Sequence, residues 1–108
     1  MAKIDLMQGT LDMLILKTLT GGAMHGYAIA RVIQERTDDA LQLEEGTLYP
    51  ALYRMERKGW IASKWGRSEN NRKARYYRLT APGRKQLNAE SEAWISLSEA
   101  ISKIMQTA

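Results

Sequence analysis

The sequence contains no cysteine and only one histidine. Without thiols the chain can form neither disulfide bonds nor thiolate metal sites, which fits a reducing compartment. A single histidine also leaves few arrangements for nucleophilic or acid–base catalysis. The adjacent carboxylates Glu44 and Glu45 occupy consecutive positions and cannot face one substrate together. We therefore expect no enzymatic activity, no metal and no other cofactor.

Long apolar segments are also absent. No run approaches the roughly 20 apolar residues that span a bilayer. The segment Met1–Gln8 has one lysine and no apolar run, so it lacks the pattern of a signal peptide. We expect a soluble, cytoplasmic protein without membrane association.

Basic residues are concentrated in one part of the chain. The segment Arg54–Arg78 contains nine basic and two acidic residues and carries +7, whereas the whole chain carries +4, leaving −3 elsewhere. A solvated charged surface would explain many basic residues, but a basic segment in an otherwise mildly acidic chain favours a site for a polyanion.

Apolar spacing predicts three helices in the first half of the chain. The first spans Leu11–Leu19 with Thr10 as N-cap, and the second spans Gly26–Arg36. The third begins near Gly46 or Thr47, has Pro50 in its first turn and ends at Lys58-Gly59. Its core-facing residues follow i, i+4, i+7 spacing: Leu48, Leu52 and Met55.

After the third helix, the spacing of apolar residues changes to one that is typical of strands. Ile61–Gly66 and Ala74–Leu79 predict two strands of a hairpin, joined by the polar, basic turn Arg67–Lys73. Trp60 and Trp65 are expected to pack at the base of this hairpin.

A long final helix, capped by Thr80, carries an apolar seam with heptad spacing. The seam consists of Leu87, Trp94, Leu97, Ile101 and Ile104, with Glu90 as its polar member. The seam could fold back on its own domain, but no later element could cover it, so we favour a homodimer interface.

This order of elements predicts a mainly α, α+β fold. It is a winged helix-turn-helix with a two-stranded β wing over residues 1–80, followed by a C-terminal dimerisation helix over 81–108. In such folds the third helix enters the major groove of double-stranded DNA and the hairpin lies along the backbone. The tyrosines and arginines on the polar face of the third helix, and the wing cations, are therefore candidate DNA contacts.

The sequence resembles the PadR family of bacterial transcriptional regulators, in the short-tailed subgroup with one C-terminal helix. The resemblance covers about residues 7–90 and rests on Gly9–Asp12, Leu14–Leu16, Met24–Tyr27, Glu45–Leu52, Glu56, Gly59–Ile61, Arg75–Tyr77, Leu79-Thr80 and Gly83. It implies a homodimeric repressor on a palindromic operator, with Tyr49 and Pro50 at the DNA end of the third helix. It also implies that a small aromatic or drug-like effector could bind near the dimer interface; Trp94 is the candidate platform for it, although seam packing is the simpler role.

The predicted DNA contacts combine this resemblance with the residue pattern. They are Tyr27, Thr47, Tyr49, Pro50, Tyr53, Arg54, Asn70, Asn71, Arg72, Lys73 and Arg75. Simpler alternatives are open for most of them: the tyrosines could be packing residues, Arg54 could be solvated, and residues 70–73 could form a merely polar turn. His25 is expected to be a structural or helix-capping residue rather than a catalyst or a ligand.

Two other functional classes are open to a winged fold of this kind. The basic wing argues against a pure protein-binding adaptor. An RNA binder would be expected to display stacking aromatic residues on an open sheet, and this hairpin is too small for that. Transcriptional activation is not physically excluded.

Overall fold

The computed structural model describes residues 8–107. Within them, α1 spans Gln8–Thr18 and a short 3-10 turn spans Leu19–Gly21. The remaining elements, in chain order, are β1 (Met24–His25), α2 (Gly26–Arg36), α3 (Glu45–Arg57), β2 (Ile61–Arg67), β3 (Lys73–Leu79) and α4 (Ala81–Met105). The expectation about a signal peptide concerns a segment that lies almost entirely outside the described residues. No helix in the described range is both long and apolar enough to cross a membrane.

The winged helix-turn-helix fold is confirmed, with corrections to three elements. Helix α1 already includes Gln8 and Gly9, so Thr10 lies inside the helix and is not its N-cap. Helix α3 begins at Glu45, which places Pro50 inside the helix rather than in its first turn. Because proline has no N–H, the carbonyl of Gly46 receives no i+4 hydrogen bond there.

The third correction concerns the sheet, which has three strands in the order β1-β3-β2. Strand β1 pairs with β3 through Met24 opposite Tyr77 and His25 opposite Tyr76. Two residues give no alternating pattern of their own, so the sequence predicted only the hairpin of β2 and β3. In that hairpin Ile61 lies opposite Leu79, and Arg67 lies opposite Lys73.

Local hydrogen bonds set the ends of three elements. His25 Nδ1 accepts from the N–H of Ala28 at 3.2 Å and caps α2, which is one of the two roles expected for it. Helix α3 ends in a Schellman motif, in which Trp60 N donates to Met55 O and Gly59 N donates to Glu56 O. Gly59 supplies the positive φ of 79° that this motif requires. Thr80 Oγ1 accepts from Gly83 N at 3.0 Å and caps α4, as predicted.

The core lies where the first three helices meet the base of the wing. It is built from Leu11, Ile15, Leu16, Leu19, Ile29, Ile33, Leu48, Ala51, Leu52, Met55, Ile61, Tyr77 and Leu87. The predicted inner face of α3 is confirmed, because Leu48, Leu52 and Met55 are all buried. Helix α3 is thus fixed by one apolar face and presents the opposite face to solvent.

Candidate nucleic-acid interface

A basic cleft separates the wing (β2, β3 and the turn between them) from the N-terminal ends of α2 and α3. We call it the wing cleft, and it encloses about 460 Å³. Its lining is His25, Gly26, Tyr27, Arg31, Tyr49, Trp65, Ser68, Glu69, Asn70, Arg72, Lys73, Ala74, Arg75 and Tyr77. Six of the predicted DNA contacts are among them: Tyr27, Tyr49, Asn70, Arg72, Lys73 and Arg75.

The strand register explains why the wing face of the cleft is basic. Side chains alternate between the faces of a sheet, and paired residues share a face. The face that begins in the core with Ile61 and Tyr77 continues outward through the pairs Trp65–Arg75 and Arg67–Lys73. One face of the hairpin therefore passes from buried apolar residues to exposed cations.

Trp65 lies on this outer part of the wing, not at its base as the sequence suggested. Its side chain is 58% exposed. Lys73 Nζ lies 4.9 Å from the ring centroid and Arg75 Cζ lies 5.7 Å from it. The ring keeps two cations close together on the cleft wall through cation–π attraction.

Arg75 links the wing to α3. Its Nε donates to Ser63 Oγ at 2.7 Å, and Ser63 Oγ donates to Glu56 Oε2. Arg75 Nη2 also lies 3.4 Å from Glu56 Oε2. Arg75 therefore lines the cleft as predicted, but part of its charge is neutralised by a carboxylate of α3.

The turn of the wing is fixed by its own hydrogen bonds. Ser68 N donates to Arg72 O at 2.8 Å, and Asn71 N donates to Ser68 O at 2.9 Å. Asn71 has a φ of 58°, in the left-handed region that asparagine tolerates better than most residues. Its backbone role explains an asparagine at this position, and its predicted contact with DNA stays a prediction.

The α2 and α3 side of the cleft is formed by two tyrosines. The ring of Tyr49 packs on Gly26, where a Cβ would lie 2.8 Å from Tyr49 Cε1. Only glycine allows the ring to come this close. Tyr49 is 43% exposed in this position. Tyr27 is 68% exposed, with Arg31 Cζ 5.9 Å from its ring centroid. Both phenols are therefore available at the cleft surface.

Tyr77 forms the inner end of the cleft. Burial raises the pKa of its phenol, and the nearby charge of Glu56 and the neighbouring Tyr49 raise it further. The positive charge of Arg75 acts in the opposite direction and lowers that pKa. Tyr77 therefore remains protonated at neutral pH and serves as a neutral part of the wall.

Thr47, Pro50 and Tyr53 are exposed on α3 outside the cleft lining. Tyr53 is 64% exposed, and Arg57 Cζ lies 5.7 Å from its ring centroid. The remaining predicted contact of the turn, Asn71, is also exposed outside the lining. These residues continue the surface of α3 and of the wing away from the cleft.

Arg54 requires a correction. Helical position suggested that it faces the groove, but its Nη1 and Nη2 donate to Asp12 Oδ2 and Oδ1, each at 2.7 Å. The side chain of Asp12 is 3% exposed, so this is a buried carboxylate matched by one guanidinium. The hydrogen bonds to Asp12 raise the pKa of Arg54. Arg54 joins α3 to α1 and is not presented to the cleft.

The apolar seam of α4 also requires one correction. Leu87 is 6% exposed and belongs to the core of its own domain, so it cannot face a partner. Trp94, Leu97, Ile101 and Ile104 are each at least half exposed. Ile95 and Met105 add to this exposed apolar surface. Between α1 and α4, a shallow cavity of about 170 Å³ is lined by Gly9, Thr10, Met13, Glu90, Ala93, Trp94 and Leu97.

Eight lining residues of the cleft were not among the predicted DNA contacts, and two of them, Arg31 and Trp65, add a cation and an exposed indole to it. Both were detectable in principle. Arg31 follows Tyr27 by four residues, so the two side chains share a helix face. Trp65 shares a strand face with the cations opposite it once the register is known. The register itself was the missing information.

The chain is similar to a known protein family and to several solved structures. The profile of the transcriptional regulator PadR-like family matches residues 15–89. A transcriptional regulator from Clostridium thermocellum has 35% identity and a TM-score of 0.81, covering 89% of this chain and 93% of that one. A PadR family transcriptional regulator from Eggerthella lenta has 32% identity and a TM-score of 0.79, with coverages of 94% and 86%.

A curated relative extends the similarity to almost the full length. An uncharacterized protein from Lysinibacillus sphaericus is 32% identical over 106 residues, covering 98% of this chain and 97% of the relative. The matched family, the shared fold and the basic wing cleft agree with one another. The chain belongs to the PadR-like family of transcriptional regulators and is a DNA-binding regulator.

Proposed function

We propose that this protein is a cytoplasmic, homodimeric repressor that binds a palindromic operator and acts by binding rather than by catalysis. The observation that carries the proposal is the presence of two separate surfaces on one small chain. One is the basic wing cleft, and the other is the exposed apolar side of α4. The first suits a polyanion and the second suits a second copy of the chain.

The DNA-binding half of the proposal rests on charge and exposure. Arg31, Arg72 and Lys73 line the cleft, where Glu69 is the opposing carboxylate among the lining residues. The exposed face of α3, including Thr47, Pro50 and Tyr53, extends beside the cleft. We assign the contacts to bases to α3 and the contacts to phosphates to the wing, since phosphate contacts position a protein and base contacts specify the sequence.

The homodimer rests on the exposed seam of α4. Trp94, Leu97, Ile101 and Ile104 follow 3, 4, 3 spacing, which is the pattern of helices that pack side by side. An isologous contact of this kind makes two wing clefts related by a two-fold axis, which a palindromic site matches. The other copy is therefore the occupant that we propose for this surface.

The proposed effector is a small aromatic or drug-like molecule at Trp94. An indole that is 50% exposed beside an apolar cavity can stack on a planar ligand. The cavity within one chain is too small for a drug-sized molecule, so the proposed site is completed by the second copy.

Titration with a planar aromatic cation, followed by Trp fluorescence, tests this in the wild type and in Trp94→Leu. Loss of quenching and of operator release only in the variant is expected; equal quenching in both would contradict it.

A gel-shift series tests operator binding. The duplexes are the palindrome upstream of the gene and a scrambled duplex of the same length. The proposal predicts a clear preference for the palindrome and a rise in reporter expression when the gene is deleted. No preference over scrambled DNA would contradict operator binding, and lower expression on deletion would indicate an activator.

Light scattering tests the dimer. Ile101→Asp is expected to yield monomers, because it places a charge in the centre of the seam. Ser102→Asp is the matched control, since Ser102 is exposed beside Ile101 and lies outside the seam. If Ile101→Asp remains dimeric, α4 is not the interface and α1 becomes the better candidate.

A further inference from the structure

Arg54 occupies an unusual place among the basic residues of α3. Arg57, on the same helix, is exposed, whereas the guanidinium of Arg54 is held by both oxygens of Asp12. The side chain of Arg54 is 27% exposed and that of Asp12 is 3% exposed. The pair therefore joins α1 to α3 through a buried carboxylate and a partly exposed guanidinium.

This pair contributes geometry more than stability. Two parallel N–H···O bonds fix the plane of the guanidinium relative to the carboxylate, which an apolar contact cannot do. Replacing a buried ion pair by apolar residues of similar volume is often neutral or stabilising, whereas removing one partner is costly. Burial of Leu48, Leu52 and Met55 already holds α3 against the core.

The position of Arg54 along α3 gives this geometry a consequence for DNA binding. The preceding residue, Tyr53, is 64% exposed, and Tyr49 lines the wing cleft. Rotation of α3 about its axis would swing both tyrosines relative to the wing. The hydrophobic contacts of α3 are non-directional, whereas the two parallel hydrogen bonds of the bidentate pair add a directional constraint on that rotation.

We propose that Asp12, acting through Arg54, is a positioning residue that fixes the rotation of α3 for base recognition. The proposal deepens the operator binding proposed above and rests on it. Asp12 lies on α1 and contacts no DNA in this account. It acts at a distance by holding the helix that carries the exposed face.

Three variants separate positioning from simple stabilisation. Asp12→Asn removes one charge of the pair. The double variant Asp12→Leu/Arg54→Leu replaces the pair by apolar side chains. Glu92→Gln is the control, because Glu92 is exposed on α4 outside the wing cleft and its loss changes the net charge equally. The measurements are the melting temperature, the ratio of operator to scrambled affinity, and the salt dependence of binding to scrambled DNA.

The expected result has two parts. Asp12→Asn lowers both the melting temperature and the operator preference, the latter by about tenfold, comparable to one lost base contact. Asp12→Leu/Arg54→Leu regains the melting temperature but not the operator preference. The salt slope on scrambled DNA stays unchanged in both, since neither residue contacts a phosphate. Glu92→Gln matches the wild type.

Two outcomes would overturn the inference while leaving operator binding intact. If the double leucine variant regains the full operator preference, the pair is only structural. If Asp12→Asn tightens binding or steepens the salt slope, Arg54 contacts DNA once released. A wild type without operator preference would instead contradict the proposed function itself, and the inference with it.

Discussion

Helix α3 and the wing border the same cleft, but they are held in place by different interactions. Helix α3 buries Leu48, Leu52 and Met55, and it is tied to α1 by the pair of Asp12 and Arg54. The outer wing is held by strand pairing and turn hydrogen bonds, with its cations exposed. A rigid helix suits the choice of sequence, whereas exposed cations suit affinity for any phosphate backbone.

The largest expected effect is on stability, at α3. Leu52→Ala should lower the free energy of unfolding by about 3 kcal/mol, because Leu52 is fully buried and its truncation leaves a cavity. Trp65→Ala, on the exposed wing, should cost less than about 1 kcal/mol. Urea denaturation measures both. Similar losses of unfolding free energy in the two variants would show that α3 and the wing are held in place by interactions of similar strength, contrary to our description.

The next effect is on DNA affinity, at the wing. Arg72→Ala/Lys73→Ala should weaken binding to operator and scrambled DNA alike, by about tenfold or more, and lower the salt slope by about two units for two lost phosphate contacts. The melting temperature should be unchanged, because both side chains are exposed. Fluorescence anisotropy at several salt concentrations checks this. A selective loss for the operator would assign sequence recognition to the wing.

The smallest effect is on the turn of the wing. Asn71→Ala should destabilise the fold by about 1 kcal/mol, since alanine tolerates a φ of 58° less well than asparagine. Asn71→Gly should stay within about 0.5 kcal/mol of the wild type. Thermal unfolding compares the two. If Asn71→Gly weakens DNA binding without changing the melting temperature, the Asn71 side chain itself contacts DNA.

Much of this architecture was predictable from local patterns. Apolar spacing located all four helices, and the cap at Thr80 was correct because capping depends on neighbouring residues alone. His25 was expected to be a structural or helix-capping residue, and it caps α2. The two-residue strand β1 carries no periodicity and was missed. The start of α1 was placed too late because Thr10 has the chemistry of an N-cap, although the helix continues through it.

The errors at the site have one cause, which is the lack of information on tertiary partners. Arg54 has the helical position of a groove residue, and only the fold brings it to Asp12, far away in the sequence. Leu87 follows the seam of α4, but the start of that helix packs into the core. Six predicted contacts did converge on one cleft, because charge and helix faces are local properties.

The central claim is that the wing cleft and the exposed face of α3 are the DNA surface. It is tested most directly by titrating the ¹⁵N-labelled protein with its operator duplex and following backbone amide shifts by NMR. We expect the largest shifts at 26–28, 46–49 and 68–73, with the exposed part of α4 beyond residue 94 unchanged. Shifts confined to α4, or absent from the wing, would contradict the claim.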